Sequence, residues 1–253
     1  MNSASDSNMQ RIRHAGPPLG LVSTIFVLLF LAGLYPVTMF GGQPYFPGPW
    51  ASADTIVAFF QARPIAVLIC AALHFGAAIP LGIFTATVVS RLQFLGVRAA
   101  GASIALFGGF ATAFTMLASS SVLWTLAHPG VAQDRTLVQA LYWLDQALGG
   151  SGFSVPFGLL MAGIAIPAGF LKLLPKWLVV SGVALAVCGE LSWLNLIMPK
   201  ALFLVPLTRF PGFVWLIAAG FVLPTTIEQL APATKDRIVR GRDVQPRASE
   251  VRS

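Results

Sequence analysis

The sequence predicts an all-α polytopic membrane protein, a bundle of six transmembrane helices with two short interfacial helices. Of its 253 residues, 56% are hydrophobic and only 10% are charged, whereas a soluble domain carries roughly 25% charged residues. The apolar residues form long runs instead of alternating with polar ones, a pattern that favours membrane-spanning helices over a β-barrel. Such a chain cannot cover a surface that faces water.

Three regions follow from this composition. Residues 1–18 are polar and predict a disordered cytoplasmic arm, 19–226 hold the transmembrane domain, and 227–253 form a basic cytoplasmic tail. The predicted spans are 19–40, 64–89, 101–127, 156–171, 177–199 and 210–224. The first run is too long for the core of a signal peptide and lacks a small-x-small cleavage site, so we expect an uncleaved span. The first residue of the sixth span is not fixed by the sequence, because residues 201–205 are also apolar.

Two segments between the spans predict helices that lie in the membrane interface. Segment 54–62 follows a turn rich in proline and aromatic residues at 41–50. Segment 134–148 begins with Asp134, a suitable N-cap. Its leucines recur at helical spacing on one face, as expected of an amphipathic helix: Leu137, Leu141, Leu144 and Leu148.

The distribution of basic residues predicts the orientation. With six spans both termini lie on one side, and that side carries twelve of the sixteen Lys and Arg residues. The opposite side carries four: Arg63, Arg135, Lys200 and Arg209. Cytoplasmic loops carry an excess of basic residues. We therefore expect a protein of the cytoplasmic (inner) membrane with both termini in the cytoplasm.

Several function classes are disfavoured. The net charge is +7, and six of the sixteen basic residues lie after Leu230, which indicates a topology signal or contact with anionic lipid and not nucleic-acid binding. Cys70 and Cys188 both fall in apolar runs, so no disulfide framework is indicated. His74 is the one histidine well inside a span, which argues against a bis-histidine haem. No metal or cofactor is predicted.

Two ionisable residues inside spans define the candidate site, His74 in the second and Glu190 in the fifth. Such residues are costly in a bilayer and mark a site or a structural lock. Counted from the outer ends of their spans, both lie about 13–17 Å deep at 1.5 Å per residue. Trp193 shares the side of Glu190. This matching depth permits contact between His74 and Glu190 and makes them the candidate site.

Two interpretations of that pair remain open. In the first, Glu190 is neutral and hydrogen-bonded to His74 or to a hydroxyl of the third span as a structural lock. In the second, the pair is a proton relay or the polar end of a ligand cavity open to the outer face. Ser119 and Ser120 lie toward the same side and add a third, weaker candidate, an intramembrane hydrolase.

The leading functional hypothesis is a membrane protein that binds or moves a small molecule or a proton through an outward-facing cavity lined by Glu190, His74, Trp193, Ser119 and Ser120. The alternative is a structural or regulatory subunit, whose small-residue faces would contact a partner membrane protein or a second copy of the chain. The third span carries such a stripe at four- and three-residue spacing: Gly101, Ala105, Gly108, Thr112, Thr115 and Ser119.

Three segments carry a resemblance to known proteins: GASIALFGGF at 101–110, WLDQALGGSG at 143–152 and RFPGFVWLIAAGFVLP at 209–224. In these glycine and aromatic placements the chain resembles a broad bacterial family of six-span integral membrane proteins with no assigned activity. The resemblance implies a six-helix bundle and carries over no functional residue.

Overall fold

The computed structural model describes residues 13–226, and within this range it is built from helices and turns. The helices are α1 (Leu19–Leu34), α2 (Ala53–Ala62), α3 (Pro64–Phe94), α4 (Gly101–Leu126), α5 (Pro129–Ala132), α6 (Arg135–Gly149), α7 (Ser151–Phe170), α8 (Lys176–Leu191) and α9 (Leu204–Val222). Six helical stretches are long and apolar enough to cross a membrane. The predicted all-α polytopic fold is therefore confirmed.

The long helices form a closed ring. In the order α1, α3, α4, α7, α8, α9, each packs on the next, and α9 returns to α1. Helices that follow one another in the chain usually pack side by side, and two of the connections, 95–100 and 171–175, are short. α7 also contacts α3 and α9, which makes it the central helix of the bundle.

The proximal end of the bundle consists of 13–18, 95–100, 171–175 and 223–226. Residues 13–18 belong to the arm predicted to be disordered, but the structure packs them against the bundle. The backbone N–H of His14 donates to Thr225 O at 2.9 Å, and Arg13 forms an isolated β-bridge with Thr226. The predicted disorder of 1–12 and the basic tail at 227–253 lie outside the described residues.

The distal end consists of 35–63, 127–134 and 192–203, together with α6. The predicted helix at 54–62 is present as α2, and Ser52 caps it by accepting the N–H of Thr55. Gln61 donates to Ala132 O at 3.0 Å, and Tyr142 donates to Pro47 O at 3.0 Å. These bonds tie the α1–α3 connection to α5 and α6, so the distal end is a packed cap over the ring.

The predicted helix at 134–148 is present as α6. It packs against α4 and leads into α7 across Gly150 as one broken stretch, Arg135–Phe170. Its inward face carries Val138, Tyr142 and Asp145. Leu137 and Leu144 are exposed on the other side. The leucine spacing correctly predicts an amphipathic helix, but periodicity does not say which face is covered by protein and which by lipid.

The last two spans also differ in their bounds. α8 ends at Leu191, and Ser192–Leu196 continues as a 3₁₀ helix in which the Ser192 hydroxyl donates to Gly189 O. α9 begins at Leu204, earlier than the predicted 210. Pro206 lies in its first turn, where a missing N–H costs nothing because that group has no partner within the helix.

Candidate functional site

A cavity of about 300 Å³ lies beneath the distal cap, and we call it the distal cavity. It is enclosed by α1, α3, α4, α9 and the break between α6 and α7. Its polar lining includes Thr38, His74, Ser119, Ser120, Asp145, Gln146 and Arg209. Non-helical backbone at membrane depth is tolerated where it lines a cavity or is buried in protein. The break at Gly150, level with Ser119 of α4, satisfies that condition.

Asp145 is the acidic group of the distal cavity. It is only 6% exposed, and its Oδ1 accepts a hydrogen bond from the Ser119 hydroxyl at 2.6 Å. It lies one turn before the end of α6, on the face that packs against α4. Within the described residues no donor reaches its Oδ2. Burying a carboxylate with part of its hydrogen-bonding capacity unused is costly, so this position requires an explanation beyond the fold.

Arg209 is the basic group of the distal cavity. α9 carries it inward between two rings, with its Cζ 4.7 Å from the centroid of Phe153 and 5.5 Å from that of Phe30. One Nη2 hydrogen is donated to Gly149 O, a carbonyl near the end of α6. Its Nε is buried and has no acceptor in the described part of the chain. The aromatic rings and the carbonyl thus fix the guanidinium but leave most of its donors unused.

Asp145 and Arg209 do not approach within the ~4 Å that defines an ion pair. Opposite charges at such a site normally pair with each other, because each pays a desolvation cost that contact would reduce. Instead, both line the same distal cavity. The arrangement leaves a gap between an anionic and a cationic wall.

His74 lines the distal cavity, but its ring nitrogens are already engaged. Nε2 lies 3.0 Å from Phe30 O, an acceptor, so Nε2 carries the proton. Nδ1 lies 3.7 Å from the Cys70 sulfur, whose thiol can donate to it. The ring also stacks on Phe30 with centroids 4.3 Å apart. These contacts make His74 a lock between α1 and α3, without Glu190.

The two candidate serines have different roles. Ser119 binds Asp145, whereas the Ser120 hydroxyl donates to Met116 O of its own helix at 2.7 Å. Neither hydroxyl is paired with His74. The structure therefore does not assemble the nucleophile and base that an intramembrane hydrolase requires.

Glu190 and Trp193 lie away from the distal cavity, so the contact between His74 and Glu190 that matching depth permits does not occur. Glu190 is in the last turn of α8, where one carboxylate oxygen packs near Gly158 of α7 and has no donor among the described residues. Trp193 is 47% exposed on the following 3₁₀ helix. The Glu190 carboxylate lies beside Gly158 of α7, and α8 packs on α7 and α9, whereas the helix of His74, α3, packs on α1 and α4. The two residues are therefore separated sideways, by the order of the helices.

Five buried phenylalanines close the distal cavity toward the proximal end, and we call them the aromatic plug: Phe26, Phe30, Phe153, Phe157 and Phe213. Their ring centroids lie 4.9–6.2 Å apart in mostly edge-to-face contacts. Such contacts contribute about 0.5–1.5 kcal/mol per pair beyond simple burial. In this conformation, the distal cavity therefore does not continue through the bundle.

Toward the distal surface, a second cavity of about 430 Å³ adjoins the first. We call it the aromatic vestibule because Trp50 and Trp143 line it, and it shares Gln146 and Leu202 with the distal cavity. The described residues contain no group of three or more His, Cys, Asp or Glu side chains placed to hold a metal ion.

Sequence reasoning missed Asp145 and Arg209 as site residues. Arg209 was considered only as one of the four basic residues on the side opposite the termini. Asp145 was considered only as part of the predicted interfacial helix at 134–148. A usable signal was present for each. Asp145 precedes a double glycine that breaks a potential span, and such interrupted spans often mark binding sites. Arg209 begins a long apolar stretch that otherwise carries no charge.

The fold and the site define a class: a polytopic α-helical membrane protein with a charged cavity under a packed cap at one end. Comparisons with protein-family models, with curated proteins and with solved structures found no match to this chain. The resemblance to a bacterial six-span family therefore stays a prediction.

Proposed function

We propose that this protein binds a small polar molecule in the distal cavity and receives it through the aromatic vestibule. The observation that carries the proposal is the pair Asp145 and Arg209, two opposite charges that line one cavity without contacting each other. A charged residue at the centre of a bilayer costs about 2.5–3.5 kcal/mol on insertion scales. A ligand that complements both charges would offset that cost.

The proposal modifies the hypothesis drawn from the sequence. The distal cavity keeps His74, Ser119 and Ser120 as lining residues, but its charges are Asp145 and Arg209 in place of Glu190. The aromatic plug favours binding from one side over passage through an open pore, and the aromatic vestibule supports access from the distal side.

The proposed setting is the cytoplasmic membrane of a bacterium, with both termini in the cytoplasm. The support is the excess of Lys and Arg on the terminal side. In this orientation the aromatic vestibule faces outward.

The alternative function, a subunit that engages a partner through its small-residue faces, has less support. The small residues of α4 are used inside the chain, where Gly108 approaches Leu160 N and Pro156 O of α7 and Gly101 approaches Pro167. A stripe that is already occupied by α7 is not free for a partner helix.

Cysteine labelling tests the proposed access route. Gln146 lines both cavities, so Gln146→Cys in a Cys70→Ala/Cys188→Ala background should react with a membrane-impermeant trimethylammonium thiosulfonate added to intact cells. The matched control is Leu144→Cys, which lies on the exposed face of the same helix, where lipid should protect it.

Each outcome is informative. Labelling of Gln146→Cys in intact cells supports a water-filled route from outside. Labelling only after the membranes are opened supports the route but reverses the orientation. No labelling in either preparation means that the distal cavity is closed to water, which contradicts the proposed function.

A further inference from the structure

We infer that the ligand of the distal cavity is a small zwitterion, an amino carboxylate whose carboxylate binds Arg209 and whose ammonium group binds Asp145. This inference rests on the proposed function and specifies the class of molecule. It depends on the placement of one acidic and one basic side chain, Asp145 and Arg209, in the lining of the distal cavity.

The Arg209 side favours a planar anion. The guanidinium is held beside Phe153 and Phe30, and Gly149 O takes one of its N–H groups. The Nη1 group has no acceptor within the described residues. A guanidinium with fixed orientation and unused N–H groups matches the geometry of a carboxylate. The N-terminus of α7, which begins at Ser151 beside Gly150 of the lining, adds partial positive charge at the same wall.

The Asp145 side favours a cationic donor. Its Oδ1 is used by Ser119, so Oδ2 is the available acceptor. The Asp145 carboxylate is only 6% exposed and needs a hydrogen-bond donor and a compensating positive charge. An ammonium group supplies both. The neighbouring Gln146 does not fill this role: its amide nitrogen donates to the Tyr142 hydroxyl at 2.7 Å, and no hydrogen bond joins it to Asp145 within the described residues.

The two walls together exclude ligands with a single charge. A simple anion at Arg209 would leave Asp145 unpaired and would be repelled by it, and a simple cation at Asp145 would meet the same difficulty with Arg209. His74 adds no third charge, since Nε2 donates to Phe30 O and Nδ1 faces the Cys70 thiol. A volume of about 300 Å³ restricts the ligand to a small molecule.

The test uses the full-length protein in nanodiscs and titrates it with ω-amino carboxylates of increasing length, from glycine through β-alanine and γ-aminobutyrate to longer members. Alkyl carboxylates and alkyl amines of matching length are titrated in parallel. One chain length should bind best, and each singly charged analogue should bind at least ~10-fold more weakly, as expected from losing one charge-assisted hydrogen bond.

The substitution Asp145→Asn tests whether Asp145 binds the ammonium group. The amide oxygen can still accept the Ser119 hydroxyl, so the fold should be retained, while the best amino carboxylate should bind no better than its amine-free analogue. Arg209→Gln should weaken every carboxylate in the series. The control is Asp54→Asn, which removes an exposed carboxylate of the same end that is paired with Arg135 at 2.7 Å; it should change nothing.

Two results would overturn the inference. Amine-free carboxylates that bind wild type as tightly as amino carboxylates would show that Asp145 does not select a cation. If no member of the series binds while the Gln146→Cys variant is still labelled in intact cells, the ligand belongs to another class and the proposed function survives. If labelling also fails, the proposed function itself is lost.

Discussion

His74 shows how a single polar residue can hold two transmembrane helices together. Its imidazole bonds to the Phe30 carbonyl of α1, stacks on the Phe30 ring and accepts the Cys70 thiol of its own helix. Gly33 makes this approach possible, because a Cβ there would lie 2.7 Å from the ring carbon Cδ2 of His74. Every polar atom of the ring therefore has a partner, as buried groups require.

His74→Ala should lower the free energy of unfolding in detergent by about 2–4 kcal/mol, through the lost hydrogen bond and the cavity that remains. Because His74 and Glu190 are not in contact, combining His74→Ala with Glu190→Gln should give additive effects, with a coupling energy below ~0.5 kcal/mol. Cys70→Ala is the matched control, since Cys70 touches His74 and should couple to it. Strong coupling between His74 and Glu190 would contradict the separation described above.

At the scale of elements, the packing of α4 on α7 depends on glycines that allow their backbones to approach. A Cβ at Gly108 would lie 2.5 Å from Leu160 N and 2.6 Å from Pro156 O. Both contacts are with backbone atoms, which cannot rotate away. Small residues at helix interfaces have this function in membranes, where association depends on close packing and not on the hydrophobic effect.

Gly108→Ala should therefore destabilise the protein by about 2 kcal/mol or more, through overpacking. The matched control is Gly76→Ala in α3, where an added Cβ meets no atom within 4 Å. That change should be neutral or stabilise by up to about 1 kcal/mol, because alanine has the higher helix propensity. Denaturation in detergent measures both variants, and equal costs would contradict the proposed α4–α7 interface.

At the scale of the whole molecule, the segment before α1 and the residues after α9 close the proximal end together. His14 bonds to Thr225 O through its backbone, its ring lies 3.0 Å from the Ser90 hydroxyl, and Arg91 reaches toward Pro17 O. Desolvation lowers the pKa of His14 below its ordinary value, and the nearby charge of Arg91 lowers it further. The folded state therefore favours the uncharged form of the His14 ring.

This contact predicts a pH dependence of stability. When the folded pKa of a histidine lies below its unfolded value of about 6.5, the unfolded state binds more protons at low pH. The contribution of His14 is therefore fully present above that unfolded value and is lost as pH falls below it. His14→Gln should flatten the decline in unfolding free energy between neutral and mildly acidic pH. The control is His128→Gln, the same substitution at an exposed histidine of the distal end, measured over the same pH range.

The first residues of the first three spans match the predicted ones and their last residues differ by one to six positions, because each span is a long apolar run. The arrangement of α6 and α7 could not be predicted in this way. Gly149 and Gly150 separate the two helices, but the sequence does not show how the first of them packs on α4. The separation of Glu190 from His74 could not be predicted either. α8 packs on α7 and α9, away from α3, and composition does not reveal which helices are neighbours.

The sequence by itself determined that this chain is a six-span helical membrane protein, because the transfer energy of each apolar run is a local property. It also placed His74, Ser119 and Ser120 toward the same end of the bundle, where all three line the distal cavity. Only the tertiary structure decided that His74 is a lock and that Asp145 and Arg209 line the same distal cavity. That outcome depends on how α6, α7 and α9 pack, and helix packing is set by contacts between residues far apart in the chain.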